Sequence, residues 1–442
     1  MKDKIEIELL EKFSKNYNKV KDAKLQKSLQ TKPILDVCLN SAVKKENKFE
    51  FNLELEEGKI YNQGISKRCW MFGIFNLIKN DIAHNLNQSV KSFELSPNYL
   101  NFYDKLEKAN HAYQTIIDLD VKDDFLLCDY DDHPILTGYF KDPVRENGKA
   151  IFARALLKKY GIVPMSVMPE TYNSMNSDDF NNWFTRKVRY DMLKLLSLKK
   201  AQKDVYSVKE KMLGECYTLL AHVLGEPPKT FNYAYTDENG HKKRLTNQTP
   251  IDFYNTYCSI NLDDFVQVAQ MPIFELYKRY EKRYTQNIVE ADAHSFLNIP
   301  QNEFTKLCLS QLKSGIPVPI GCDNRKYRDK ESQVLDTRIF SFEKLLGIKD
   351  MTKAQALETF DCRSRHIMAI RGAHIVNGKP IRWKIEDSCG EDARISGYYV
   401  MNNNYFEKCV FYAWIHKRLL SKKMLEALKN PAVIYGFEGS DL

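Results

Sequence analysis

The chain has 442 residues, 43% hydrophobic and 12% aromatic, which excludes a disordered polymer and allows one large domain or two to three smaller ones. Its 66 basic and 58 acidic residues leave a net charge of +8, mild and dispersed, and the clusters at 199–203 and 417–423 read as solvated helix faces, not as a nucleic-acid surface. Ten cysteines without a Cys-x2-Cys pair or zinc-ligand spacing fit reduced thiols in a cytosol better than a disulfide framework.

Residues 1–45 are Lys-rich and read as helices, with Ile5, Leu9, Leu10 and Phe13 on one face. No uninterrupted apolar signal region opens the chain, and no apolar run is long enough to span a bilayer. Residues 49–55 alternate like a strand. The stretch 62–77, NQGISKRCWMFGIFNL, then starts a helix. Trp70, Ile74, Ile78 and Ile82 recur every fourth residue, with Met71 and Phe75 beside them, giving one broad apolar face. Ser66 is the expected N-cap. Cys69 therefore falls in the first turn, where unpaired N–H groups and the dipole favour a thiolate. Taken alone, such a cysteine is a small buried hydrophobe. As a nucleophile it needs a base and donors for an oxyanion, and Gln63 offers a side-chain N–H beside the backbone N–H of Cys69.

A further helix at 93–110 is entered through Ser96-Pro97. In the acidic stretch that follows, Asp129, Asp131, Asp132 and His133 fit no calcium loop and read as solvated. The helix at 150–160 ends on Gly161, and 177–225 is amphipathic and helical. Pro227-Pro228 breaks it before a hairpin through Glu238-Asn239-Gly240. Residues 261–315 carry little signal. Strands are expected at 318–322, 366–370, 381–387 and 398–401, so helices precede antiparallel strands in an α+β pattern. His84 and His241 sit late in a helix and in a turn. His366 opens the apolar strand HIMAIRG; alone it would be structural, but RWKIEDSCGEDA follows and Asp387 can sit beside the imidazole across a hairpin. Cys389, two residues along that strand, shares the face of Asp387 and reads as a spectator thiol. Residues 406–430 are expected to be helical, and the tail 432–442 reads as a flexible terminus.

Several of these segments resemble the papain superfamily, and more closely the bleomycin hydrolase / aminopeptidase C family of cysteine peptidases (peptidase family C1, subfamily B). The family's Gln-x5-Cys-Trp stands here as Gln63 to Trp70, with Arg68 before the cysteine. Phe93-Glu94-Leu95-Ser96, KYGIVP, MPETYNS, GEPP and TPIDFY also match its pattern. So does His366 with the later Trp-x-Val-Glu-Asn-Ser-Trp-Gly-Glu-Asp block, in which Asp387 replaces an asparagine and Cys389 a tryptophan. The resemblance implies a papain-like α+β fold with a helical left domain, an antiparallel β-barrel-like right domain, helical insertions and an N-terminal hook. The corresponding divisions are 1–58, 59–190, 191–310, 311–430 and 431–442. It also implies a cytoplasmic aminopeptidase acting on short peptides through an acyl-enzyme: Cys69 attacks, His366 carries the proton, Asp387 orients it and Gln63 helps hold the oxyanion. The carboxylate of Leu442, or Glu438 or Asp441, would receive the substrate's amino group. No metal or organic cofactor and no membrane is implied, and the assembly would be a homohexameric ring. A carboxylate orienting the histidine leaves a working relay, whereas loss of the indole should open it to water and alter the pH profile. Two alternatives stand beside this: an impaired scaffold, suggested by Asp387 and Cys389, and a nucleic-acid-binding family member.

Overall fold

The structure, a computed structural model, describes residues 4–118, 140–282, 285–392 and 394–435. The segment with Asp129, Asp131, Asp132 and His133, and the tail with Glu438, Asp441 and Leu442, lie outside the described residues. In chain order the strands are β1 (Leu53–Glu54), β2 (Phe231–Thr236), β3 (Lys242–Gln248), β4 (Phe265–Ala269), β5 (Arg279–Lys282), β6 (Ser295–Asn298), β7 (Val318–Cys322), β8 (Arg328–Asp329), β9 (Val334–Leu335), β10 (His366–Val376), β11 (Lys379–Glu386), β12 (Tyr398–Asn402), β13 (Val410–His416) and β14 (Val433–Tyr435). β2 and β3 form the separate hairpin around Gly240. The others share one sheet in the order β14-β5-β6-β4-β13-β7-β10-β11-β12-β9-β8, with β1 on β10. Pairing is antiparallel except for β4–β6, β5–β14 and β9–β12.

One helix, Cys69–Asn85, joins the two halves of this α+β fold. Trp70, Ile74, Ile78 and Ile82 are fully buried, as the spacing requires, but Phe72 and Leu77 on other faces are buried too. The helix is covered all round because one side enters the core built with the Pro97–Asp118 and Ala150–Tyr160 helices, while the other lies on β10 and β7. Gly73 sets that approach. A Cβ there would stand 2.5 Å from Ile367 Cγ2, so no larger residue fits between helix and strand at this turn. A second core fills the sheet half around Trp383, Phe406 and Phe411.

Two expectations are corrected. The helix expected over 406–430 stops at Cys409, and β13 follows. β13 lies between β4 and β7 and is covered on both faces, so VFYAWIH is apolar without alternation. Its Lys-bearing flanks supplied the helical signal. The tail is ordered further than its composition suggests, since Val433–Tyr435 pairs in parallel with β5. The divisions at 190 and 310 fall inside the Asp178–Lys200 and Gln301–Lys313 helices, and β4 to β6 belong to the main sheet.

Candidate active site

Cys69 is the first residue of its helix, and the N-cap is Arg68, not Ser66. Ser66 instead donates its hydroxyl to the Gln63 carbonyl (2.6 Å) and accepts from Arg68 Nε (3.0 Å). The fully buried Arg68 side chain pairs with Glu170 at 3.1 Å and donates to the Ser174 carbonyl at 2.8 Å. The turn from Gln63 into the helix is thus braced from beneath. Cys69 is 8% exposed, and its backbone N–H is one of the four with no intrahelical acceptor.

His366 begins β10, and its Nε2 lies 2.6 Å from Asp387 Oδ1. Cys69 acts electrostatically on the same ring; with Nε2 held by Asp387, Nδ1 is the nitrogen left to face the cleft. Burial alone would push this imidazole toward its neutral form. The charges of Asp387 and Cys69 overcome burial and hold its pKa well above the ordinary histidine value. Burial likewise works to raise the Asp387 carboxyl, yet the imidazolium and the N–H of Ser388 (2.8 Å) keep it below its ordinary value. Opposite shifts on the two partners mark an ion pair.

Ser388 escaped the sequence reading, although it adjoins Asp387 in EDSCGED. Its Oγ donates to Gln63 Oε1 at 2.7 Å, and its carbonyl accepts the Gln63 N–H at 3.0 Å. With Oε1 engaged, one Nε2 proton goes to the Ser66 carbonyl (3.0 Å), and an amide nitrogen carries a second. Beneath the site, Glu386 accepts from Lys79 Nζ at 2.7 Å and from Arg371 Nε at 2.6 Å, all three side chains being 1% exposed. Lys79 belongs to the Cys69 helix, Arg371 to the His366 strand, and Glu386 to the strand ending before Asp387. Lys79 also donates to the Lys59 carbonyl at 2.8 Å. Burial drives its ammonium down to about 8, against the pull of Glu386. No periodicity announces such a tie, because each residue looks like an ordinary charge until the elements meet.

Cys389 departs from its expected place. β11 ends at Glu386, and Cys389 instead forms an isolated bridge with Asn62. Burial pushes its thiol up to about 12, so it stays protonated at neutral pH. The relay is not opened to water either: the side chains of His366 and Asp387 are 11% and 7% exposed. The charge of Arg328 adds a smaller pull that helps keep the Asp387 carboxyl ionised. Gln63, Cys69 and His366 line one cleft of about 460 Å³, while Cys389 is not among its described lining residues.

A cysteine opening a buried helix, facing a strand-edge histidine oriented from the neighbouring strand, defines a papain-like cysteine peptidase. The chain belongs to the Peptidase C1-like family, whose model matches residues 4–436, and it is a cysteine-type peptidase. It is 33% identical over 437 residues to aminopeptidase C of Listeria innocua, covering 98% of this chain and 97% of that one. It is 31% identical over 440 residues to aminopeptidase E of Lactobacillus helveticus, covering 98% of each. The crystal structure of pepW from Lactobacillus rhamnosis superposes with a TM-score of 0.93 at 31% identity, covering 99% of this chain and 98% of that one. Among the described residues no helix is long and apolar enough to cross a membrane.

Proposed function

We propose that this chain is an aminopeptidase that removes N-terminal residues from short peptides through a Cys69 acyl-enzyme. The observation that carries the reading is the His366 ring, hydrogen-bonded to Asp387 and lining one cleft with Cys69, whose charge acts on it. The ring draws the thiol proton, and the sulfur attacks the scissile carbonyl. The oxyanion is received by the second Nε2 proton of Gln63 and the backbone N–H of Cys69. His366 returns its proton to the leaving amine as the tetrahedral intermediate collapses to a thioester. Water, deprotonated by His366, then releases the acid and the free thiol. Asp387 stays ionised throughout, holding Nε2–H and the imidazolium charge. The exopeptidase limit rests on relatives named aminopeptidases and on the resemblance that gives the Leu442 carboxylate the substrate's ammonium group.

By the same resemblance we assign a bleomycin hydrolase-like homohexamer, which light scattering on the purified protein tests. A cytoplasmic address rests on the cysteine usage, and fractionation of the source cells tests it. For the activity, free-amine and N-acetylated peptide substrates are compared before and after thiol alkylation. Turnover of the free-amine members alone, abolished by alkylation, supports the reading; equal turnover of both, or turnover that survives alkylation, refutes it.

A further inference from the structure

The segment that carries Gln63 and the segment that carries Asp387 meet in a short antiparallel contact. Asn62 and Cys389 form its bridge, and its hydrogen bonds run from the Gln63 N–H to the Ser388 carbonyl and from the Gly390 N–H to the Tyr61 carbonyl, both at 3.0 Å. Gly390 lets the two segments close up, since a Cβ there would stand 3.1 Å from Asn62 Nδ2. Ser388 lies in the middle of this contact, 7% exposed, with each of its polar groups engaged. Its N–H donates to Asp387 Oδ1 at 2.8 Å, the oxygen that also meets His366 Nε2 at 2.6 Å. Its carbonyl and its hydroxyl both go to Gln63. One residue therefore touches the carboxylate that orients the histidine and the amide that faces the oxyanion.

The direction of the hydroxyl bond follows from the other end of the amide. The Ser66 carbonyl can only accept, so the group it meets at 3.0 Å is Gln63 Nε2. Oε1 then faces Ser388 Oγ at 2.7 Å, and the hydroxyl must donate. An amide held at its nitrogen alone can still swing about that bond. Held at both ends, it has a fixed plane, and the second Nε2 proton has one direction. A donor aimed beforehand at the place where charge develops needs no reorganisation when the oxyanion forms. We propose that Ser388 is a positioning residue for acyl transfer: its hydroxyl pins the Gln63 amide so that the oxyanion donor is aimed in advance, and its backbone ties that donor to Asp387. This rests on the peptidase reading above and adds to it the residue that aims its oxyanion donor.

The test uses the full-length protein and two rates. Ser388→Ala removes the hydroxyl and keeps the backbone bonds to Gln63 and Asp387. Displacement of iodide from iodoacetamide by the Cys69 sulfur forms no oxyanion, so its rate reports the Cys69, His366 and Asp387 group and the integrity of the fold. Peptide turnover needs the oxyanion donor as well. In Ser388→Ala the alkylation rate and its pH profile stay within about twofold of the unsubstituted protein, while kcat for a free-amine peptide falls about ten- to a hundredfold and KM changes little. In a Gln63→Ala background the same substitution lowers kcat by less than about twofold, because residues that act through one group are not additive. A kcat for Ser388→Ala within about twofold of the unsubstituted enzyme, alkylation slowed as much as turnover, or losses that multiply in the double variant would each overturn the role. Failure of the peptidase reading itself shows elsewhere, as turnover by the unsubstituted enzyme that survives alkylation of Cys69.

Discussion

His366 and His294 line one cleft, and burial pushes both toward the neutral form. Their outcomes are opposite because their neighbours differ in sign. Beside His366 stand the Asp387 carboxylate and the Cys69 sulfur, and its pKa rises well above the ordinary value. Beside His294 stand Lys149 and Lys282, and its pKa falls well below it. At one end of the cleft the imidazole is held toward its charged form, at the other toward its neutral form. Burial sets how strongly neighbours are felt, and neighbour charge sets the direction.

The change with the largest expected effect acts on the framework that keeps the first histidine facing its cysteine. Glu386→Gln leaves Lys79 and Arg371 as uncompensated buried cations, and the stability loss is roughly 3–5 kcal/mol. Denaturant titration reads it; a loss below about 1 kcal/mol would show that the tie contributes little. Gly73→Ala is next. The added methyl must displace Ile367 next to His366, costing about 1–3 kcal/mol, and kcat should fall while KM changes little. An unchanged kcat would mean that the helix and β10 can separate without disturbing the pair.

Asp387→Asn reverses the sign argument at His366. A raised histidine pKa contributes stability that is fully present below the unfolded value, about 6.5, and is lost as pH rises through the folded value. The Asp387 carboxyl, held below its ordinary value, contributes above the unfolded carboxyl pKa of about 4 and loses that contribution as pH falls through the folded value. The variant's stability deficit should therefore be largest between about pH 5 and 6.5, and the alkaline limb of its kcat/KM profile should move to lower pH. A limb that stays in place would remove Asp387 as the cause. The smallest effect is expected from Lys149→Gln. Followed by NMR of the ring, His294 should titrate slightly higher yet remain below its ordinary value, because burial is the larger cause. A return to the ordinary value would mean that the lysine, not burial, dominates.

Much of the frame around the site was legible because its signals are local. The four-residue spacing after Cys69, Gly161 closing its helix, and the turn at Asn239-Gly240 each depend on neighbours in sequence. So did the order of strands at 318–322, 366–370 and 398–401. The features that sequence reasoning missed depend on distant chain. β13 reads as part of a helix until β4 and β7 cover its two faces. Ser388 gains meaning only when Gln63 arrives 325 positions away, and Lys79 when Glu386 arrives 307 positions away. Cys389 was assigned a strand neighbour's geometry, but the chain turns after Glu386. Ser66 has a capping side chain yet spends it on the Gln63 carbonyl.

The central claim is that the Cys69 sulfur, activated by His366, forms the bond to substrate. Its most direct test is to inactivate the enzyme with a thiol-directed epoxide and locate the adduct by peptide mass spectrometry. The account predicts one adduct per chain, on Cys69, with activity lost in proportion to labelling and no labelling at that position in His366→Ala. Full inactivation with Cys69 unmodified, or a fully labelled Cys69 in an enzyme that still turns over, would contradict it.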